Sequence, residues 1–215
     1  ILRGLVGSEM CIRDSFMTAR YPQRFGFERN PQYQPQDPDM GLTRGEKTIA
    51  ELLRPAGYHS GIIGKWHLGA HIPTSHPMKR GFDEFYGHLG GGHVYFPEKL
   101  TIRRSQDAKG ESESYRTWLM KNFEPVPPRK YLTDDFSDEA VSFVERNRDW
   151  PFFLFLSYNA PHTPLEATEK YLNRFSDIQD PKRKTYAAMV SAVDDGVGRV
   201  LKEVRRHGLE EKTIL

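Results

Sequence analysis

Lys65, His67 and His162 are side chains of the types that bind an oxyanion and move a proton. Lys65 and His67 stand in Gly64-Lys65-Trp66-His67-Leu68-Gly69, directly after the β-branched pair Ile62-Ile63. His162 stands in Asn159-Ala160-Pro161-His162-Thr163-Pro164, directly after the apolar run Phe152-Phe153-Leu154-Phe155-Leu156-Ser157. An ammonium is a compact point charge for an anion, and an imidazole holds or delivers a proton near neutral pH. The set suits cleavage of an ester whose departing oxygen gains charge while a dispersed anion is left behind. Fixed cations and a proton donor bind that transition state more tightly than they bind the ester. Each residue also has an ordinary reading: exposed lysines are mostly idle, and a lone histidine beside an apolar turn or between prolines is commonly a hydrogen-bonded structural group.

The chemistry requires elements that bring these residues together. Ile62-Ile63 reads as a strand covered on both faces, with Gly64 letting the backbone turn so that Lys65 and His67 project beyond the strand's carboxyl end. Phe152 to Ser157 reads as a second buried strand of the parallel kind, opened by Pro151. Parallel strands would deliver both turns to one edge of a sheet, where ligands of open α/β sheets bind. Helical patterns alternate with these strands. Thr43-Arg44-Gly45-Glu46 has capping-box spacing ahead of Ile49, Leu52 and Leu53, and Pro55 with Gly57 stops that helix. Asp134 and Asp135 suit a helix N-terminus, and Phe136, Ala140, Phe143 and Val144 recur at helical spacing against the sheet. Tyr186, Met189, Val190, Val193, Val197, Val200, Leu201 and Val204 form a long stripe that reads as core, with Asp194 and Asp195 as structural polar positions. Thr213-Ile214-Leu215 begins a further strand pattern.

Gly57-Tyr58 leading into the Ile62-Ile63 strand and Gly64-Lys65-Trp66-His67-Leu68-Gly69 resembles the second signature of the sulfatase family. Supporting segments, in order, are Thr48-Ile49-Ala50-Glu51-Leu52-Leu53, Arg80-Gly81-Phe82-Asp83-Glu84-Phe85-Tyr86-Gly87 and Ala160-Pro161-His162-Thr163-Pro164. The resemblance runs from about Met17 to Leu215. It implies an alkaline-phosphatase-like α/β sandwich with a largely parallel central sheet flanked by helices, here incomplete. It also implies hydrolysis of sulfate esters of sugars or aryl groups by a formylglycine beside a bound Ca2+. On the same ground Lys65 would contact sulfate and the formylglycine, His67 would bond the formylglycine hydroxyl, and His162 would contact sulfate and protonate the leaving oxygen. A formylglycine-generating enzyme would be a partner of the full-length protein, and a secreted, periplasmic or lysosomal location is expected.

The resemblance fails at the start of the chain. The family places its nucleophile in Cys-x-Pro-Ser-Arg, ahead of Thr-Gly-Arg. Here the run ends in Phe16-Met17-Thr18-Ala19-Arg20, and the family spacing puts Glu9 at the nucleophile with Cys11 two positions late. Cys11, in Cys11-Ile12-Arg13-Asp14-Ser15, is therefore expected to stay an unmodified thiol. Residues 1–15 read as a non-native leader and 16–215 as part of a sulfatase catalytic domain. The upstream aspartates and the later Asp-Asn and Lys of the family's site lie outside the sequence. A non-catalytic sulfated-glycan-binding relative and a related phosphoesterase or phosphonate hydrolase remain alternative readings.

Composition narrows the rest. With 215 residues, 37% hydrophobic and 28% charged, one well-buried core is within reach. The +2 formal charge comes from 31 basic and 29 acidic residues spread along the chain, which gives no reason for a nucleic-acid partner. No apolar run is long enough for a transmembrane helix, and the single Cys11 cannot form an internal disulfide. His67, His71 and His76 do not read as a zinc set, because Gly69 and Pro73 break any helix and no cysteine or acidic ligand completes it. Gly90-Gly91-Gly92 lacks a following Gly-Lys-Ser/Thr and reads as a flexible turn rather than a phosphate loop. Residues 21–39 read as a surface loop pinned by aromatics, and 99–130 as an excursion from the core; His93, Tyr95, Arg103 and Arg104 could meet the substrate, with a solvated loop as the ordinary reading of each. Asp83 reads as structural.

Overall fold

Ile62 and Ile63 bury opposite faces of one strand, β1 (His59–Lys65), and both are almost inaccessible to solvent. Their alternation fits a sheet covered on both sides. The computed structural model describes residues 9–27, 41–70, 73–99 and 117–215. Among them are four more strands: β2 (Glu84–His88), β3 (Leu119–Lys121), β4 (Glu124–Pro125) and β5 (Phe152–Ser157), in the order β4-β3-β2-β1-β5. β2 and β5 flank β1 in parallel, while β3 and β4 extend the sheet antiparallel.

One face of the sheet, with Ile63, Tyr86 and Leu119, packs on Phe136, Ala140 and Phe143 of helix α3 (Leu132–Asn147). The opposite face, with Ile62 and Phe85, meets Met17 of α1 (Glu9–Thr18), Ala50 of α2 (Ile49–Leu53), and Trp66, Leu68 and Phe82. After β5 come a short α4 (Glu169–Leu172) and the long α5 (Pro181–Arg206), which backs α3. This is the expected α/β architecture, with a mixed rather than uniformly parallel sheet. The boundary expected at Ser15 falls inside α1.

Several local expectations change. The capping box sits at Thr48, whose Oγ1 accepts from the Glu51 N–H at 3.2 Å while the Glu51 carboxylate accepts from the Thr48 N–H at 2.7 Å. The Glu46 carboxylate instead accepts from Arg20, while Arg80 donates to the Glu46 backbone carbonyl, so the earlier Thr43 spacing goes unused. Residues 117–130 are not all excursion: Leu119 is fully buried, and its neighbours form the β3–β4 hairpin. β5 is only half-buried because it is the sheet's edge among the described residues. On α5 the buried face is Ala188, Met189, Ala192, Gly196, Glu203 and Val204, whereas Tyr186, Val190 and Val197 are exposed. The close approach selects small residues: a Cβ on Gly196 would stand 2.3 Å from both Ser137 Oγ and Tyr158 Oη. His71, Arg103, Arg104 and residues 28–39 lie outside the described residues.

Candidate active site

The edge where β1, β2 and β5 end is built on two close backbone approaches. Gly64 has φ +113°, and a Cβ there would lie 1.9 Å from Ser157 O of β5. A Cβ on Gly87 would lie 1.8 Å from Gly64 O. Only glycine fits both positions. The strand does not turn at Gly64 but continues to Lys65, which pairs in register with His88 and is fully buried. The turn comes at His67, with φ +58°, held by the Trp66 and His67 N–H groups donating to His88 O at 3.0 Å and Leu89 O at 3.1 Å. A non-glycine residue in this region is strained, and such strain collects at functional sites.

His162 follows the end of β5 and reaches the same edge. Its N–H donates to Asn159 O at 3.0 Å, its carbonyl accepts from Tyr95 Oη at 2.8 Å, and its Nδ1 lies 2.6 Å from Thr163 O. A carbonyl only accepts, so Nδ1 carries the proton and the ring's other nitrogen is the one that exchanges protons.

Electrostatics tie the three predicted residues together. His67 is pushed down to about 2, first by burial and then by Lys65, Arg13 and His162. Desolvation is the largest cause, and the neighbouring cations add to it. His67 therefore stays neutral at physiological pH. His88 is also driven well below its ordinary value, by burial and then by His93, Lys65 and His67. Its Nδ1–H donates to Gly90 O at 3.1 Å, and its buried Nε2 has no partner among the described residues. His93 and Tyr95 are buried rather than solvated, and the triglycine is a buried bend rather than a flexible surface turn.

Arg13 is a site residue that the sequence reading passed over. The spacing that puts Glu9 at the family's nucleophile position also puts Arg13 at the arginine of Cys-x-Pro-Ser-Arg, and that was the available signal. Arg13 is buried on α1 and acts on His67. Its neighbour Asp14 is buried too, which raises its carboxyl to about 6.

Other expected residues lie apart from this edge. Asp83 is structural, with Oδ2 accepting from Ser60 N–H at 2.9 Å and Oδ1 from Arg54 at 2.7 Å. His76 accepts from Met78 N–H at 3.2 Å and stacks on Phe123. Asp195 pairs with Arg174 at 2.7 Å. Calcium takes about six to eight oxygen ligands, whereas Lys65, His67, His88, His93, His162 and Arg13 offer nitrogen and positive charge. Among the described residues, this nitrogen-rich set therefore does not fit Ca2+ by itself. Glu145, Glu203 and His207 cluster with metal-ligating atoms within 4.8 Å of one another, but they lie on α3 and at the end of α5 with Arg206 bound among them.

A sequence model of the sulfatase family matches residues 6–215. N-acetylgalactosamine-6-sulfatase of Mus musculus is 33% identical, over 94% of this chain and 39% of its own length. Arylsulfatase of Hemicentrotus pulcherrimus is 31% identical, over 99% of this chain and 38% of its own. The crystal structure of Ps i-CgsB in complex with k-i-k-neocarrahexaose superposes with a TM-score of 0.82 at 41% identity, covering 93% of this chain and 45% of that one. The chain thus spans about two fifths of the length of the curated relatives it matches.

Proposed function

The chain belongs to the sulfatase family, and from that premise we propose that the whole protein hydrolyses sulfate esters, with Lys65 and His162 binding the sulfate and His162 protonating the leaving oxygen. The observation that carries this reading is the joint action of Lys65, His162 and Arg13 on the buried His67, at the carboxyl ends of parallel strands. Such an edge is arranged for an anion. A sulfate oxygen placed against the Lys65 ammonium gains a charge-assisted hydrogen bond in a site sheltered from water. Neutral His67 contributes hydrogen bonding rather than charge. His162, with Nδ1–H held by Thr163 O, can carry a second proton on Nε2 and pass it to the departing oxygen as the ester bond to sulfur breaks. The products are the free alcohol and sulfate. Calcium and a formylglycine, where the whole protein holds them, would supply the metal charge and the nucleophile.

Sugar sulfates are the favoured substrates. Ps i-CgsB, which is 41% identical, was crystallised with a neocarrahexaose, while the arylsulfatase relative is 31% identical. A maturing enzyme that makes formylglycine and a secreted, periplasmic or lysosomal placement follow for the whole protein from the same premise. Among the described residues no helix is long and apolar enough to cross a membrane.

One observation favours a second reading. Glu9 stands at the nucleophile position, which suits a sulfated-glycan-binding relative without turnover. Residues 1–15 as a non-native leader would account for Glu9 equally well. The deciding experiment is the coding sequence upstream of Phe16 together with turnover of matched sulfate and phosphate esters by the full-length protein. Cys-x-Pro-Ser-Arg with preferred sulfate-ester turnover is expected. Another residue at that position with glycan binding but no turnover would establish the binder, and preferred phosphate turnover would establish a phosphoesterase.

A further inference from the structure

We propose that Tyr95 is a positioning residue for His162, gripping the His162–Glu166 segment at both ends; this rests on the sulfatase reading above. Tyr95 lies in the loop after β2 and is 1% exposed. Its hydroxyl donates to His162 O at 2.8 Å, and its N–H donates to Glu166 Oε2 at 2.9 Å. Its own carbonyl accepts from Leu132 N–H at 2.8 Å, which fixes it to the first turn of α3. Glu166 is held from two further sides, with its carbonyl accepting from Tyr131 Oη at 2.8 Å and its Oε1 from Lys99 Nζ at 2.8 Å.

Asn159 ties the same two loops from the other side. Its Nδ2 donates to His93 O at 3.1 Å, and its carbonyl accepts from His162 N–H at 3.0 Å. Both backbone polar groups of His162 are thus spoken for, one by Asn159 and one by Tyr95. The imidazole follows β5, whereas the ammonium of Lys65 belongs to β1, so their relative placement depends on ties between loops rather than on the sheet ladder alone. A proton donor displaced by even an ångström loses much of its effect on the transition state.

The distinguishing readout is leaving-group dependence. Protonation of the departing oxygen matters for a sugar alkoxide and little for a nitrophenolate, which leaves readily as an anion. In the full-length protein, Tyr95→Phe should lower kcat about tenfold on a sugar sulfate and less than about twofold on nitrophenyl sulfate, with both KM values within about twofold. His162→Ala should show the same selectivity more strongly. An equal loss on both esters, or no loss on either, would overturn the proposal. If Tyr95→Phe does not fold, Asn159→Ser cuts the other tie and is read by the same ratio. If the wild type turns over neither ester, the sulfatase reading fails, and the positioning claim is read from the His162 ring resonance of histidine-labelled protein. A shifted or broadened resonance in Tyr95→Phe supports it, and an unchanged one overturns it.

Discussion

The two ends of the same parallel strands treat charge in opposite ways. At the amino-terminal end, Glu84 lies 3.0 Å from His59 Nε2 and 2.7 Å from Arg146, and Asp83 takes Arg54. Burial alone would raise Glu84, but Arg146 and His59 outweigh it and hold the carboxyl below its ordinary value. At the carboxyl-terminal end, burial first and then Lys65, Arg13 and His162 all act to strip the proton from His67. One end places carboxylates between its cations, which serves the fold. The other gathers ammonium, guanidinium and imidazole, as the proposed anion site requires. Departures from local optimality mark function more reliably than ion pairs do.

The sharpest break would come from one substitution at each end. Lys65→Ala in the full-length protein should lower kcat/KM on a sulfate ester by about a hundred- to a thousandfold, since a single transition-state contact of this kind is worth about 3–4 kcal/mol. Arg146→Ala should leave kcat/KM within about twofold. Steady-state kinetics on both variants checks this, and equal losses would erase the distinction between the ends.

Gly64→Ala tests the backbone at the carboxyl-terminal end. Its Cβ would meet Ser157 O at 1.9 Å in a left-handed conformation, so a loss of about 4 kcal/mol or failure to fold is expected in denaturant melts. Gly198, on α5, has nothing within 4 Å of its Cβ position. There alanine should stabilise by about 0.5–1 kcal/mol.

Buried histidines set the pH response. His76 is pushed down to about 4 by burial, and Lys79 adds to this. Between pH 6.5 and 4 the unfolded chain therefore binds the proton that the fold refuses. Stability rises with pH across that window and is lost as pH falls, by up to about 1.4 kcal/mol per pH unit for each such group. His67 acts in the same sense down to about 2. Asp14, raised to about 6, acts oppositely between about 4 and 6 because the fold keeps its proton. A lower melting temperature at pH 5 than at pH 7 is expected, with a shallower slope in His76→Asn. A slope unchanged by that substitution would count against a neutral His76.

The smallest effect belongs to the amino-terminal ion pairs. Glu84→Gln should cost about 1 kcal/mol or less, because the Arg146 side chain is 42% exposed and water screens the pair. A thermal melt checks it.

Much of this was legible because local chemistry and tertiary demand agreed. Ile62-Ile63, the α3 stripe of Phe136, Ala140, Phe143 and Val144, and the placing of Lys65, His67 and His162 at strand ends were each readable from local pattern, although the turn expected at Gly64 comes at His67. The α5 stripe misled because Gly196 and Ala192 let α3 approach closely, which turned the bulky Val190 and Val197 outward. Thr43 and Thr48 offered rival capping boxes, and only the tertiary use of the Glu46 carboxylate by Arg20 separates them. β3 and β4 are too short to show a period. Arg13 lay inside a stretch where the family motif fails, and Tyr95 acts through a hydroxyl contact made across 67 residues.

The central claim is that Lys65, His67 and His162 form one anion site, and sulfate itself is the most direct probe. The 215-residue chain is melted in sodium sulfate and in sodium chloride at matched ionic strength, alongside Lys65→Ala combined with His162→Ala. Sulfate stabilises any protein through exclusion from its surface, so the quantity that matters is the excess in the parent, which grows with ligand occupancy. A larger sulfate-specific rise in the parent than in the double variant is predicted, and an equal rise in both would contradict the account.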